Sequence, residues 1–234
     1  MNILKAFSLA MGQLDDPAFR KVIAWGVLIS IVVFALVLAG LIALVPLIPD
    51  SGIGWLDTGV DWLAGLSVPL VFVATLWLFF PAVVSTVVSL FLDEIVDAVE
   101  ARHYPEAAGW RRSSIFESVW LALKMSIVLL IANLLALPLY LALLFTGIGA
   151  LVLYLGLNAY LMGREYFEMV AIRHARPREA GRLRKGMRDQ AFLGGLALSG
   201  LFMVPVVNLV APVLGAAAMV HLFHDARARG AVRI

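Results

Sequence analysis

The sequence predicts an all-α integral membrane protein with two long transmembrane helices and two membrane hairpins, of which the last is predicted to be re-entrant. Two observations lead to this prediction. Of the 234 residues, 62% are hydrophobic and only 15% are charged, and the charges are absent from four long windows. Typical soluble domains are about 45–50% apolar and about 25% charged. We therefore treat residues 1–234 as a single helical membrane domain.

The four uncharged windows differ in length, and their lengths predict what each one forms. The windows are residues 22–48, 63–92, 125–163 and 192–223. A membrane-spanning helix needs roughly 20 apolar residues, so each of the first two windows holds one long span. The third window has about the length of two spans and a turn, and Pro138, Gly147 and Gly149 supply break points. A full crossing and a partial one both remain open for this hairpin.

The fourth window is too short for two full spans, yet arginines flank it on both sides. Its centre contains Pro205, Asn208 and Pro212. Proline removes a backbone donor and clashes with the preceding helical turn, so two half-helices that meet at this break are favoured over a single kinked span. Irregular backbone at membrane depth requires cover from protein or a water-filled cavity. These three residues are therefore candidates for a pore lining or a hairpin break.

The basic residues predict the orientation in the membrane. All 18 Lys and Arg residues lie in segments 1–21, 93–124, 164–191 and 224–234, whereas the connection 49–62 contains three aspartates and no base. Cytoplasmic loops are enriched in Lys and Arg. Both termini are accordingly expected in the cytoplasm of a multi-pass membrane protein, with residues 49–62 outside.

The usual signals for catalysis or metal binding are missing. The chain has no cysteine, which excludes disulfides and thiolate sites, and it has no nucleotide-binding loop, HExxH pair or serine elbow. His221 and His224 could bind a metal, but with no nearby third ligand they are interpreted as polar tips at the membrane edge. The carboxylates within 93–100 are interpreted as the wet face of a cytoplasmic helix. We therefore predict no enzyme, no cofactor and no metal.

The start of the first span has a pattern that suits anions. A carboxylate of Asp15-Asp16 can cap a helix that has Pro17 in its first turn, and free backbone amides at such a terminus attract oxyanions. Two cations follow in the same turn. The candidate anion-binding residues are Ala18, Phe19, Arg20 and Lys21. The alternative is that the two cations only anchor the first span on the cytoplasmic side.

The third window ends abruptly on charged residues. Arg164 can pair with Glu168 on one helical face, Glu165 lies between them, and Gly163 allows close packing. We interpret Arg164, Glu165 and Glu168 as a structural latch at the membrane edge, with a gate in an ion path as the alternative. The seven Arg and Lys residues within 173–188 carry no interleaved aromatic residue, so anionic lipid headgroups are a better expected partner than nucleic acid.

Several of these stretches resemble the CysZ-type sulfate permeases of bacterial inner membranes. The similar stretches are PAFRK at 17–21, FLD at 91–93, GREYFE at 163–168, and PVVNLVAP at 205–212 followed by GAAAM. The resemblance covers nearly the whole chain. It implies an all-helical fold of long spans and partly penetrating hairpins, assembled as a homo-oligomer. It also implies sulfate conduction into the cytoplasm, with the anion held at residues 18–21.

The leading hypothesis is an inner-membrane permease or channel for passive uptake of sulfate or a similar small oxyanion. Its expected partners are the oxyanion, the lipid bilayer and further copies of the chain. The alternative is a non-transporting membrane scaffold or lipid-organising protein that acts through its basic segment. A membrane-embedded enzyme is a third possibility, but Asn133, Asn158 and Asn208 are its only candidate polar groups at depth.

Overall fold

The structure is a computed structural model that describes residues 1–44, 54–107, 115–204 and 206–230. Within these ranges the chain is helical and contains no strand. The helices are α1 (Ile3–Met11), α2 (Pro17–Leu44), α3 (Gly54–Ser89), α4 (Leu92–His103), α5 (Ile115–Leu143), α6 (Gly149–Ala171), α7 (Pro177–Gly186), α8 (Arg188–Phe202) and α9 (Ala211–Ala228).

Helices α2 and α3 correspond to the two predicted long spans. The 28 residues of α2 have the length and hydropathy of a membrane span, and α3 bends by 46° between Trp77 and Phe79. Pro81 explains the bend because a proline ring clashes with the carbonyl group four residues earlier. The two helices pack along each other at Gly26, where a Cβ atom would lie only 2.4 Å from Cγ2 of Val88.

The third window forms a hairpin of α5 and α6. Its turn lies at Gly147, which has a positive φ of 69°, whereas Pro138 lies inside α5. The segment Ser126–Thr146 is long and apolar enough to cross a membrane. The uncharged part of α6 is shorter, about 22 Å at 1.5 Å per residue, and ends at Arg164. The hairpin is therefore asymmetric: α5 is long enough to cross the membrane fully, whereas the uncharged part of α6 is shorter.

The fourth window forms α8 and α9, with a short 3-10 turn at Val207–Leu209 between them. Their 15 and 18 residues correspond to about 22 and 27 Å, less than the roughly 30 Å hydrocarbon core of a bilayer. This result confirms two half-helices that meet at a break. Pro205 lies outside the described residues, and Pro212 is buried in the first turn of α9.

Helix α9 forms the centre of the protein. Every residue from 211 to 224 is buried, and α1, α3, α4, α6 and α8 pack against this helix. Large apolar side chains are instead exposed on α2, α3 and α5, among them Leu36, Trp77 and Leu135. Such extensive exposed apolar surface is typical of a membrane-facing periphery. The predicted all-α membrane architecture is confirmed.

Helices α6 and α8 cross with their backbones in contact. A Cβ atom on Gly163 would lie 2.1 Å from the carbonyl oxygen of Ala191, and one on Gly195 would lie 2.0 Å from that of Ala159. Each helix thus presents two small residues four positions apart. This pattern is typical of close helix pairs in membranes, and it explains why Gly163 stands at the end of the third window.

Candidate functional site

The start of α2 is capped by Asp16. Its Oδ1 accepts a hydrogen bond from the backbone amide of Ala18 at 3.0 Å, and its backbone carbonyl accepts one from the amide of Arg20 at 3.0 Å. Two of the amides that were expected to attract an oxyanion are therefore already bonded. The side chain of Phe19 is fully buried. Any anion contact at this terminus must consequently come mainly from the side chains of Arg20 and Lys21.

These two cations have different surroundings. Nζ of Lys21 lies 3.0 Å from Oε2 of Glu94 on α4, so its charge is balanced. Arg20 is exposed and forms no ion pair with any residue in the described ranges. Arg102 also lies at this end of α2, with Nη1 3.6 Å from Oδ2 of Asp16. The region therefore offers one exposed guanidinium group next to two cations that are already paired.

Asn208 lies at the break between α8 and α9 and contacts α3. Its Oδ1 accepts a hydrogen bond from Oγ of Ser85 at 3.0 Å. Beside this bond is a groove of about 600 Å³, whose lining includes Trp77, Phe80, Phe202 and Met203. The break thus borders a cavity in which Asn208 is a polar group among apolar side chains. Its role as a pore lining stays a prediction.

Arg164 and Glu168 form an ion pair within α6. Nε of Arg164 lies 3.1 Å from Oε1 of Glu168, and Nε of Arg184 on α7 lies 3.1 Å from the same oxygen. The three side chains are largely buried, with exposed fractions of 12–16%. Glu165 is exposed. The cluster joins α6 to α7, and Arg184 is a partner that the sequence did not indicate.

A buried polar cluster lies at the far end of α4, and the sequence did not predict it. Oε1 of Glu100 lies 2.7 Å from Nε2 of His174 and 3.1 Å from Nε2 of His224. All three side chains are only 2% exposed. Glu100 is therefore not on the wet face of α4, and the expectation of polar tips at the membrane edge is wrong for His221 and His224, which are both buried, as is His174.

A second layer of rings surrounds this cluster. The ring of Tyr104 stacks on His224 at 4.2 Å between centroids, and its hydroxyl lies 2.8 Å from Nδ1 of His221. Burial lowers the pKa of His221 to about 4, and the neighbouring His103 and His224 add to this effect. Burial, followed by the negative charge of Asp225, raises the pKa of Tyr104. Both groups are therefore uncharged near neutral pH.

The sequence contains one signal that could have placed Glu100 in the interior. The buried residues of α4 are Leu92, Ile95, Val96 and Val99, and a helical period of 3.6 residues puts position 100 on the same stripe. Asp93 and Asp97 lie off that stripe and are exposed. The convergence of His174 and His224 had no local signal, because these residues lie 74 and 124 positions from Glu100.

The basic segment forms a turn, α7 and the start of α8. Five of its cations are exposed: Arg176, Arg178, Arg182, Lys185 and Arg188. Helix α7 begins at Pro177. At this end, Oε2 of Glu179 accepts a hydrogen bond from the backbone amide of Arg176 at 3.0 Å. An exposed row of cations on a short helix is a suitable contact for anionic lipid headgroups.

Comparison with known proteins identifies the family. The family model described as sulfate transporter CysZ/etoposide-induced protein 2.4 matches residues 6–212. The match extends from α1 to the start of α9 and includes the capped start of α2, the α5–α6 hairpin and the break at Asn208. No curated protein and no solved structure matches the chain significantly. The chain belongs to the sulfate transporter CysZ/etoposide-induced protein 2.4 family.

Proposed function

We propose that this protein is a permease or channel that lets sulfate or a similar small oxyanion cross the membrane passively. The family match over residues 6–212 supports a transport role. An anion is proposed as the transported species because Arg20 is exposed and has no ion pair within the described ranges. A guanidinium group can donate two parallel hydrogen bonds to an oxyanion.

The proposed anion site differs from the one expected from the sequence in how it holds its ligand. Because Asp16 already binds the amides of Ala18 and Arg20, the terminus offers fewer free donors than an uncapped helix. Arg20 is then the main contact, and Lys21 adds positive potential although it is paired with Glu94. Binding through one main side chain is weak, which suits conduction, since a conducted ion must also leave its site.

The placement in the cell follows from the same proposal. The protein is a multi-pass inner-membrane protein that assembles from several copies, with both termini on the cytoplasmic side. Two observations support a shared side for the termini. Helix α1 packs directly against α9. The basic residues lie in the two terminal segments and in segments 93–124 and 164–191.

Uptake of radiolabelled sulfate into proteoliposomes tests the proposal. Arg20→Ala should lower the flux about 10- to 100-fold, since a hydrogen bond to a charged group is worth about 1.5–3 kcal/mol. Arg20→Lys should retain part of the flux, because it keeps the charge and loses the forked geometry. Lys5→Ala, which removes an exposed cation of α1, is the control. Dissipating proton and sodium gradients should leave the flux unchanged.

Two outcomes would contradict the proposal: wild-type flux no higher than that of empty vesicles, or an Arg20→Ala flux equal to wild type. The exposed cations of the basic segment 173–188 favour the second candidate function, a scaffold that organises lipid. That function predicts binding to vesicles of anionic lipid that is lost when Arg178, Arg182 and Arg188 are changed to Ala, together with no sulfate flux. The permease predicts that these changes leave the flux measurable.

A further inference from the structure

The four histidines of the chain gather in one region, although the sequence scatters them. His103 ends α4, His174 follows α6, and His221 and His224 lie on α9. The rings of His103 and His221 are 5.1 Å apart, as are those of His174 and His224. A buried carboxylate, Glu100, lies between the second pair. Neither anion conduction nor the latch accounts for this arrangement.

We infer that Glu100, His174 and His224 form a binding site for a divalent transition metal ion such as Zn²⁺. Each residue offers one ligand atom, and the three atoms lie within 4.8 Å of one another. Zn²⁺ binds imidazole nitrogen at about 2.0–2.1 Å and carboxylate oxygen at about 2.0–2.2 Å. Tetrahedral ligands at those lengths are separated by about 3.3 Å, so the observed 2.7 and 3.1 Å separations need to widen by only a few tenths of an ångström.

The ligand types select the class of metal. Two imidazoles and one carboxylate are the protein ligands of many zinc sites whose fourth position is filled by water. Nitrogen ligands suit Zn²⁺, Co²⁺ or Ni²⁺, whereas Mg²⁺ and Ca²⁺ prefer oxygen ligands alone. The carboxylate of Glu100 supplies the negative charge, and the 2% exposure of each side chain keeps competing bulk water out.

The surrounding rings hold the ligands in place. The ring of His224 is stacked on Tyr104, and that of His174 is stacked on Phe223 at 4.9 Å. The Tyr104 hydroxyl is itself fixed by its hydrogen bond to His221. Such outer contacts orient ligand rings before a metal arrives and thereby raise affinity. A bound ion would join α4, the turn after α6, and α9.

Two arginines lie beside the proposed ligands, and one of them, Arg227, gives a sharp test. Nη1 of Arg227 lies 3.5 Å from Nδ1 of His174, and Nε of Arg173 lies 3.9 Å from Oε2 of Glu100. The charge of Arg173 is balanced by Asp93 and Asp97. Metal binding at Nε2 of His174 puts the ring proton on Nδ1, toward Arg227, so this guanidinium group must turn aside. Removing it should strengthen metal binding.

The test uses the full-length protein in detergent, stripped with a chelator and titrated with Zn²⁺ and Co²⁺. We expect one ion per chain by calorimetry, visible absorption typical of tetrahedral cobalt, and a melting temperature that Zn²⁺ raises and chelator lowers. Glu100→Gln and His224→Asn should each weaken binding by at least about tenfold, the lower range for losing even an outer partner of a ligand. Arg227→Gln should bind more tightly than wild type.

His103→Asn is the matched control, since it removes an exposed histidine of the same region and should leave the affinity unchanged. The inference is overturned if the wild-type protein binds no stoichiometric metal, which would leave a purely hydrogen-bonded network. It is also overturned if Glu100→Gln and His224→Asn bind as tightly as wild type, or if Arg227→Gln binds more weakly. The wild-type melting shift needs no variant, so a variant that fails to fold does not prevent the test.

Discussion

At the scale of single residues, the burial of Glu100 requires compensating contacts. A carboxylate that loses its water must gain hydrogen bonds or a counter-charge, because an unpaired buried charge costs several kcal/mol. Here His174 and His224 lie within hydrogen-bonding distance of one oxygen, and Arg173 lies 3.9 Å from the other. The position therefore fixes three separate parts of the chain around one side chain.

His221, which lies beside this cluster, should make the stability of the protein depend on pH. The unfolded chain takes up a proton at this histidine near pH 6.5, whereas in the folded protein its pKa is about 4. Between those values the unfolded state binds more protons, so stability is complete above about pH 6.5 and falls as the pH decreases toward 4. Melting temperatures in detergent, measured across this range, should show the decrease.

His221→Asn should flatten that decrease, because an asparagine oxygen can still accept the Tyr104 hydroxyl but takes up no proton. The comparison variant is His103→Asn, which removes a histidine that is exposed and should keep most of the slope. A His221→Asn protein with the same pH slope as wild type would show that other groups cause the effect.

At the scale of helices, the crossing of α6 and α8 depends on glycine. The carbonyl oxygen of Ala159 occupies the position that a side chain at residue 195 would need, at a distance of 2.0 Å. Backbone cannot rotate away as a flexible side chain can. The crossing also positions Glu168, which binds both Arg164 of α6 and Arg184 of α7 just beyond it. The proposed latch thus rests on two small residues of each helix.

Gly195→Ala should destabilise the protein, by about 1–3 kcal/mol or more, as is usual for overpacking in a filled interior. Gly200→Ala on the same helix is the matched control, because a Cβ atom there meets nothing within 4 Å and alanine favours the helix by up to about 1 kcal/mol. Melting temperatures in detergent should therefore fall for the first variant and stay level or rise for the second. Equal melting temperatures would mean that the helices separate at no cost.

At the scale of the whole molecule, the helices are arranged around α9, and the apolar periphery is left for lipid. The most buried helix is thus a short arm of the last hairpin, while the longest apolar helices lie outside it. Because α1 and α4 both pack on α9, the N-terminal segment, the end of α4 and the last helix lie together. The proposed orientation assigns this region to the cytoplasmic side.

The absence of cysteine makes that orientation easy to test, since every labelled thiol comes from an introduced residue. Lys5→Cys and Arg182→Cys should react with a membrane-impermeant thiol reagent only after the inner membrane is opened. Thr58→Cys, exposed near the start of α3, should react in intact spheroplasts. Labelling of all three positions from the same side would contradict the proposed topology.

Much of the architecture could be predicted because its causes are local. When lipid surrounds an uncharged window of 27 or 30 residues, a helix is the structure that satisfies its backbone hydrogen bonds. The break at Val207–Leu209 was predicted from the proline-rich sequence around it. The start of α2, the two hairpins and the ion pair between Arg164 and Glu168 all follow from neighbours within a few positions in the chain.

The sequence by itself determined the membrane class, the number of long spans and the broken last hairpin, since hydropathy and helix breaking act over short distances along the chain. Only the tertiary structure decided which polar groups meet across long separations in the chain. In the folded protein Glu100 is buried and lies within hydrogen-bonding distance of histidines 74 and 124 positions away. Lys21 is paired with Glu94, whereas Arg20 is exposed. These contacts depend on how α4, α6 and α9 pack, and packing is a property of the assembled helices.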